Sequence, residues 1–444
     1  MVLTIPVGAR SSNSQVNVNV LLSSDVTAGD ITELGTFGRI TGEAEAINAV
    51  FMKVRSGDMD AIADLPFVVT VSPDAERKGS PVDTVAAEDF TNGLSTWDND
   101  AINVTDFGFN NREVSETGAG VYVAVLDTGL VDQWRQYFPQ ERIAEEYAIS
   151  FGGGGNERGH VSTQPNKWEH DANSHGTHVT STILGYSLLG TPVNGVAPEA
   201  TVIPVKVLGN SGFGWSSMVA AGITYIGDLK AGPLADDPVV INMSLGGPEL
   251  DAVEKAAIDY AIAQGVIIVA SAGNEGEEGM GFPGAYEPVI SAAASGWVGE
   301  WTTVGNNSWW NSVDVADPTD PDDFYITDFS SRELAGQDLD IAAPGSWVVG
   351  PFNLQNGKPS YFFLGGTSMA SPHVAGTVAL MAEKNSTLDQ MDADGILTGS
   401  AIPFGAGCND VKPGPGADAV EICWGADATG SGLLDAAAAL AATP

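Results

Sequence analysis

Three short stretches carry an acid, an imidazole and a hydroxyl in settings where each could act on a bond. The first, Val121-Tyr122-Val123-Ala124-Val125-Leu126-Asp127-Thr128-Gly129, is an apolar, β-branched run ending in an acid and a turn. It predicts a buried parallel strand with Asp127 at its carboxyl end, the edge where sites form in open α/β sheets. The second, Asn173-Ser174-His175-Gly176-Thr177-His178-Val179, predicts a turn opening a helix with His175 at its start. The third is Gly365-Gly366-Thr367-Ser368-Met369-Ala370-Ser371-Pro372-His373-Val374-Ala375-Gly376. There a glycine turn feeds a helix whose first turn would hold Ser368 among unpaired N–H groups at the positive end of the helix dipole. Such a place stabilises an attacking oxygen and a developing oxyanion. Alone, Gly-Thr-Ser before an apolar helix reads as an N-cap. Beside the other two stretches it completes a set in which Asp127 fixes the imidazole tautomer, His175 takes the proton and Ser368 attacks.

The order Asp, His, Ser, in the contexts Leu-Asp-Thr-Gly, His-Gly-Thr-His-Val and Gly-Thr-Ser-Met-Ala-Ser-Pro-His-Val-Ala-Gly, resembles the subtilisin-type serine proteases (subtilases) over roughly residues 95–440. The resemblance implies a serine endopeptidase working through an acyl-enzyme on Ser368. It also implies a doubly wound α/β fold with a mostly parallel sheet. By the same resemblance Asn274, in Ser271-Ala272-Gly273-Asn274-Glu275-Gly276, aims its amide at the substrate oxyanion together with the N–H of Ser368; alone, Gly-Asn would be a turn. Gly212-Phe213-Gly214, beyond the apolar run 201–207, is implied to pair with the substrate backbone, a strand-addition mode of binding. Ser244-Leu245-Gly246 and Ala272-Gly273 are implied to wall the pocket for the residue before the scissile bond, with Gly281, ahead of Phe282-Pro283-Gly284, at its floor. Such walls leave a deep slot, so Phe, Tyr or Leu is expected there ahead of Lys or Arg. Exposed acids at the rim (Glu275, Glu277, Glu278) would add only a salt-sensitive preference for basic residues. A catalytically inactive subtilase fold serving as a binding scaffold is the alternative. The complete set of competent side chains argues against it, and His175 in its full motif argues against acid-acting relatives that use Glu there.

At 444 residues the chain suffices for one large α/β domain and a small one. The expected division is a small α+β module over 1–75, a polar linker and processing region over 76–96, and the enzyme over 97–444. In the module, Gln15–Leu22 alternates at period 2 as a half-buried strand does, Ala46–Val54 and Phe67–Val71 read as strands, and Met59–Leu65 reads as a short helix. No helix is evident between Ser23 and Gly42. The final strand, ending Ser72-Pro73-Asp74, resembles the tail of subtilase propeptides, which help their enzyme fold and then block its cleft. An accessory domain without an inhibitory role is the other reading. The glycine-rich stretch from Phe151 to Asp171 is expected to be a surface insertion.

With 18 Lys+Arg against 57 Asp+Glu, the net charge of −39 excludes a nucleic-acid or anionic-membrane partner as the default. It suits salty surroundings or an ordinary acidic secreted enzyme. No apolar run is long enough to span a bilayer. The start lacks a basic segment and apolar core. Cys408 and Cys423 flank one Gly/Pro/Asp-rich loop and are expected to form a local disulfide, hence secretion. Protein or peptide substrates, the chain's own N-terminal module and a monomeric state are the expected partnerships. The chemistry requires no cofactor, and spacing offers His175 and His178 no zinc site. Structural calcium is open: Tyr186–Pro192, where a subtilase calcium loop would lie, is poor in side-chain oxygens. Asp314, Asp317, Asp320, Asp322 and Asp323 could suit a hard cation or form a solvated charge run.

Overall fold

The computed structural model describes residues 14–78, 83–86, 95–108, 111–152 and 160–444. The chain opens with β1 (Gln15–Leu22), α1 (Ala28–Leu34), β2 (Gly38–Ala44), β3 (Ala49–Arg55), α2 (Met59–Ala63) and β4 (Val68–Pro73), giving an antiparallel sheet of order β2-β3-β1-β4. Period-2 alternation gives the sheet two apolar faces. Val18, Val20, Val50, Met52 and Val54 face the module's own helices, meeting Leu34 and Ile62. Ala49 and Phe51 face the other way, into the cluster built by the large α/β body. The helix α1 escaped the sequence reading. Its signal is a capping box, in which Thr27 Oγ1 accepts from the N–H of Asp30 and Asp30 Oδ2 accepts from that of Thr27.

The stretch expected to be a linker contributes two short strands, β5 (Glu76–Lys78) and β6 (Asp83–Ala86). Residues 79–82 and 87–94 lie outside the described residues.

The body then runs α3 (Trp97–Asp100), β7 (Tyr122–Asp127), β8 (Ile149–Ser150), α4 (Pro165–Trp168), α5 (His175–Leu184), β9 (Gly185–Leu188), β10 (Thr191–Asn194), β11 (Thr201–Lys206), β12 (Phe213–Trp215), α6 (Ser216–Ala231), β13 (Val239–Met243), α7 (Ala252–Ala263), β14 (Val266–Ser271) and β15 (Ile290–Trp297). It closes with α8 (Trp309–Ser312), β16 (Phe324–Ile326), β17 (Ile341–Pro344), β18 (Val348–Gln355), β19 (Lys358–Gly365), α9 (Thr367–Lys384), α10 (Gln390–Ser400), β20 (Gly407–Val411), β21 (Val420–Trp424) and α11 (Ala436–Ala442). The central sheet has the order β16-β15-β14-β13-β7-β11-β8, with β17 also on β15, and every pairing is parallel except β15 with β16. Strands β7, β13 and β14 are apolar almost throughout, as burial on both faces requires. One face carries α6 and α7, the other α5 and α9. This is the doubly wound, mostly parallel architecture expected.

Three expectations meet detail. The apolar run beginning at Ala46 starts with a 3₁₀ turn, so β3 begins only at Ala49. The region expected to be a surface insertion is partly core: residues 153–159 lie outside the described residues, but Trp168 of α4 is fully buried against Trp134. Tyr186–Pro192 folds as the β9–β10 hairpin. Cys408 and Cys423 face each other across β20 and β21 and are bonded. No helix among the described residues is long and apolar enough to cross a membrane.

Candidate active site

Asp127 ends β7, and the adjacent parallel strand β13 ends at Met243, so Asp127 and Ser244 share the carboxyl edge of the sheet. Helix α5 begins at His175 directly over that edge. Its approach is close enough that a Cβ on Gly176 would sit 2.4 Å from the carbonyl of Gly129 and 3.2 Å from Asp127 Cβ. Glycine is the residue that fits. The N–H of Gly176 donates to Thr128 Oγ1 at 2.9 Å, and Ser174 is held in the left-handed region at φ 76°. The ring of His175 is thereby laid on Asp127, with Nδ1 at 2.8 Å from Oδ1 and 2.9 Å from Oδ2, both side chains wholly buried. A carboxylate only accepts, so Nδ1 donates and the neutral ring keeps its lone pair on Nε2. Nε2 is buried without a hydrogen-bond partner among the described residues.

Asp171, which the sequence reading did not single out, holds this turn. Its Oδ1 accepts the N–H groups of Asn173 at 3.0 Å and Ser174 at 2.9 Å, and Oδ2 lies 3.5 Å from Thr177 Oγ1. Burial pushes its carboxyl up to about 6, against the opposing charge of Lys206. For His175, burial pulls the pKa down, but the charge and hydrogen bond of Asp127 and the charge of Asp171 prevail. The net shift is upward from 6.5.

Ser368 lies in the first turn of α9 and is 2% exposed. Pro372, four residues on, has no N–H, so the carbonyl of Ser368 lacks its helical partner. Ser244 Oγ fills that place, donating to Ser368 O at 2.8 Å, while Ser368 Oγ donates to Ser244 O at 3.3 Å. The hydroxyl therefore rests on the end of β13 and not on His175 Nε2; catalytic hydrogen bonds often tighten only when substrate is bound. Ser371 Oγ on Asn242 Oδ1 at 2.8 Å fixes the same helix to the same strand. Asn274 Oδ1 accepts from the N–H of Thr367 at 2.9 Å and from Thr367 Oγ1 at 3.0 Å. With its oxygen so held, its NH₂ is left for the cleft that Asn274 and Ser368 line together.

That cleft encloses about 660 Å³ and is lined by Gly246, Gly247, Ser271, Gly273, Asn274, Gly281 and Ser368, with Glu275, Glu278, Met280 and Gln337 around them. Gly246, Gly273 and Gly281 are in its lining. Ser244, Leu245 and Ala272 are not among its lining residues and are buried, Ser244 bonded to the carbonyl of Ser368 and Leu245 in the core. Met280 and Gln337 were not foreseen; Gln337 Nε2 donates to Met280 O at 2.9 Å from a loop distant in sequence. Glu277 lies instead in a separate depression beside Arg332 and the Cys408–Cys423 hairpin. Phe213 and Gly214 lie in β12, directly after Gly212, and β5 of the same chain occupies that edge.

His178 and His373 are structural in geometry. His178 Nε2 meets the carbonyl of Val348 at 3.1 Å, and burial pushes its pKa down to about 3. His373 spans Met369 O at 2.8 Å and Asp98 Oδ2 at 3.0 Å. Of the acidic candidates, Asp317 and Asp320 bond their own turns, at Thr319 and Asp322. Asp314 instead groups with Asp100 and Asp106, the only such set of metal-ligating side chains among the described residues. Burial raises Asp100 to about 7, and its Oδ2 accepts from the N–H of Val315.

Residues 118–425 match the sequence profile of the subtilase family. The chain is a subtilase. It is 31% identical over 366 residues to an alkaline protease of Alkalihalobacillus alcalophilus, spanning 82% of this chain and 77% of that one. It is 34% identical over 292 residues to subtilisin Savinase of Lederbergia lenta, 65% of this chain and 86% of the other. Among solved structures it resembles the S41 psychrophilic protease with a TM-score of 0.55 and 29% identity, over 78% and 99% of the two chains. It also shares the fold of fervidolysin from Fervidobacterium pennivorans, with a TM-score of 0.66 at 23% identity over 98% of this subtilase and 62% of that chain. This subtilase is accordingly a serine endopeptidase acting on proteins and peptides.

Proposed function

We propose that the enzyme cleaves peptide bonds through Asp127, His175 and Ser368, with Asn274 and the N–H of Ser368 holding the oxyanion. The observation that carries this reading is the grip of Asp127 on Nδ1 of His175, which leaves Nε2 bare. In the reaction Ser368 turns from Ser244 O toward Nε2, loses its proton there and attacks the carbonyl. The imidazolium then protonates the leaving amine, and water hydrolyses the ester by the same relay. The structure of the cleft supports a large apolar residue before the scissile bond, since its inner walls are glycine and backbone; Glu275 and Glu278 stand at its mouth.

The N-terminal module is proposed to be an inhibitory, self-removed segment, with residues 1–75 as module, 76–96 as processing region and the enzyme from 97. Four contacts support it. Strand β5 lies antiparallel on β12, and β6 lies antiparallel on β19, the strand leading to Ser368. Asp74 accepts from the N–H and hydroxyl of Ser217 at 3.0 and 2.6 Å, in the first turn of α6. Asp251, the cap of α7, accepts from Asn19 at 2.8 Å and Ser72 at 3.0 Å. Acid groups at two helix N-termini complement their dipoles. Secretion as a monomer fits the disulfide hairpin, and no cofactor enters the chemistry. A serine-directed phosphonofluoridate should label Ser368 and stop hydrolysis, and Ser368→Ala should remain full-length. Labelling elsewhere with activity lost would overturn the assignment.

A further inference from the structure

A wholly buried ion pair between the N-terminal segment and the body has no role in the chemistry above. Arg77, in the middle of β5, is 0% exposed, and so is Glu254 in the first turn of α7. The guanidinium meets the carboxylate side-on: Nε donates to Oε1 at 3.0 Å and Nη2 to Oε2. Nη2 also donates to the carbonyl of Glu249 at 2.9 Å, and Nη1 to that of Glu76 at 2.9 Å. Four N–H groups are thus used in one planar fork, a pattern that a point-charge ammonium cannot copy. The seat is shaped for it. A Cβ on Gly247 would lie 2.4 Å from Glu76 O and 2.8 Å from Arg77 Nη1.

The seat belongs to the substrate cleft. Gly247 lines both, and the backbone of Arg77 stands opposite Gly214 on β12. From there the chain proceeds to β6, where Asp83 stands opposite Gly365, just ahead of Ser368. A strand laid along this path therefore meets the Glu254 seat on the amino side of any bond brought to Ser368. We propose that Glu254 determines specificity: a peptide replacing β5 on β12 is selected for arginine at the place Arg77 holds. The inference rests on the protease reading above and adds to it a second, charged subsite. Burial favours the protonated form of Glu254, and Arg77 only partly offsets this, so its net shift is upward. A seat emptied of Arg77 holds the costly half of a broken buried pair, which a new guanidinium relieves.

The test uses enzyme that has shed its N-terminal segment, verified by mass. In alanine-based peptides the residue before the scissile bond is fixed as Phe, and one arginine is walked through the preceding positions. At one of these, kcat/KM should rise at least about tenfold over methionine or citrulline at the same place, with lysine between. In Glu254→Gln the arginine-to-methionine ratio at that position should fall to about one; because the readout is a ratio, a general loss of activity cancels. If that variant does not fold, the arginine–citrulline comparison in the wild type decides alone. If the segment is never shed, Arg77→Ala opens the seat, and the preference should appear in that variant and not in the parent. Equal rates for arginine, citrulline and methionine at every position overturn the inference while leaving the protease intact. Cleavage of none of the peptides overturns the protease reading instead.

Discussion

Among the described residues, two pairs that set a carboxylate against a basic side chain are wholly buried, and they are built to opposite ends. In Asp127–His175 one atom is left bare, the Nε2 of the imidazole. In Arg77–Glu254 the carboxylate is engaged through both oxygens and the guanidinium through further carbonyls. A buried polar atom left unpaired is costly and is relieved by any group that comes to bond it. A pair engaged through both carboxylate oxygens and split between two proposed parts of the chain suits recognition better than chemistry. On the proposals above, the difference assigns catalysis to the orphaned atom and selection to the pair whose one member would leave.

The first pair is broken most severely by Asp127→Asn. The amide would present its NH₂ to Nδ1 and favour the wrong tautomer, so kcat should fall by about 10⁴ while the fold is retained. Steady-state kinetics beside circular dichroism check this; a loss under tenfold would show that Asp127 does not orient the ring.

The second pair is broken by Arg77→Met in the uncleaved Ser368→Ala chain. Removing one member of a buried pair typically costs about 3–5 kcal/mol, whereas replacing both by apolar residues is near neutral. Denaturant unfolding of that background should thus show the single substitution to be the worst, with Arg77→Met/Glu254→Met recovering most of the loss. Additive losses would mean that the pair is not energetically coupled.

These two regions also differ in how far they could be read from sequence. Asp127, His175 and Ser368 each sit in a contiguous motif, because a strand end or a helix start is a local structure that its neighbours specify. Gly176 and Pro372 belong to the same motifs, and their reasons became visible only in space: close approach to Asp127, and a carbonyl freed for Ser244. The parallel sheet was equally plain, from runs such as Val239–Met243. Arg77 and Glu254 were not legible. They lie on elements far apart in the chain, and nothing near either residue announces the other. Ser244 and Leu245 show a related limit, since a strand end shows which residues reach the edge but not which of them face the cleft. Helix α1 was missed although Thr27 and Asp30 carry its start signal, because its seven residues hold one buried side chain.

Asn274 tests the catalytic side more finely. Asn274→Leu should lower kcat about 10²–10³-fold with little change in KM, the loss known for removing one oxyanion donor in this family. An equal rise in KM would place the amide on the bound substrate instead of the transition state.

The smallest expected effect separates charge from shape. Asp171 holds the turn before His175 through two N–H groups, which asparagine could also bond, but only the carboxylate charge raises the pKa of His175. General-base action needs neutral imidazole, so the acid limb of kcat/KM follows that pKa. Removing the charge lowers it, and in Asp171→Asn the limb should move toward lower pH. Stability should shift with it. A His whose pKa is raised by folding contributes stability that is present below the unfolded value near 6.5 and is lost as pH rises through the folded one. The variant loses part of that contribution on the acid side. It also escapes an opposing cost, because Asp171, raised from 3.8 to about 6, destabilises the fold as pH climbs between those values. Thermal unfolding should therefore show the variant gaining on the parent as pH rises from 4 to 6. If kcat/KM falls equally at every pH and the acid limb stays in place, Asp171 shapes the turn and its charge does nothing for His175.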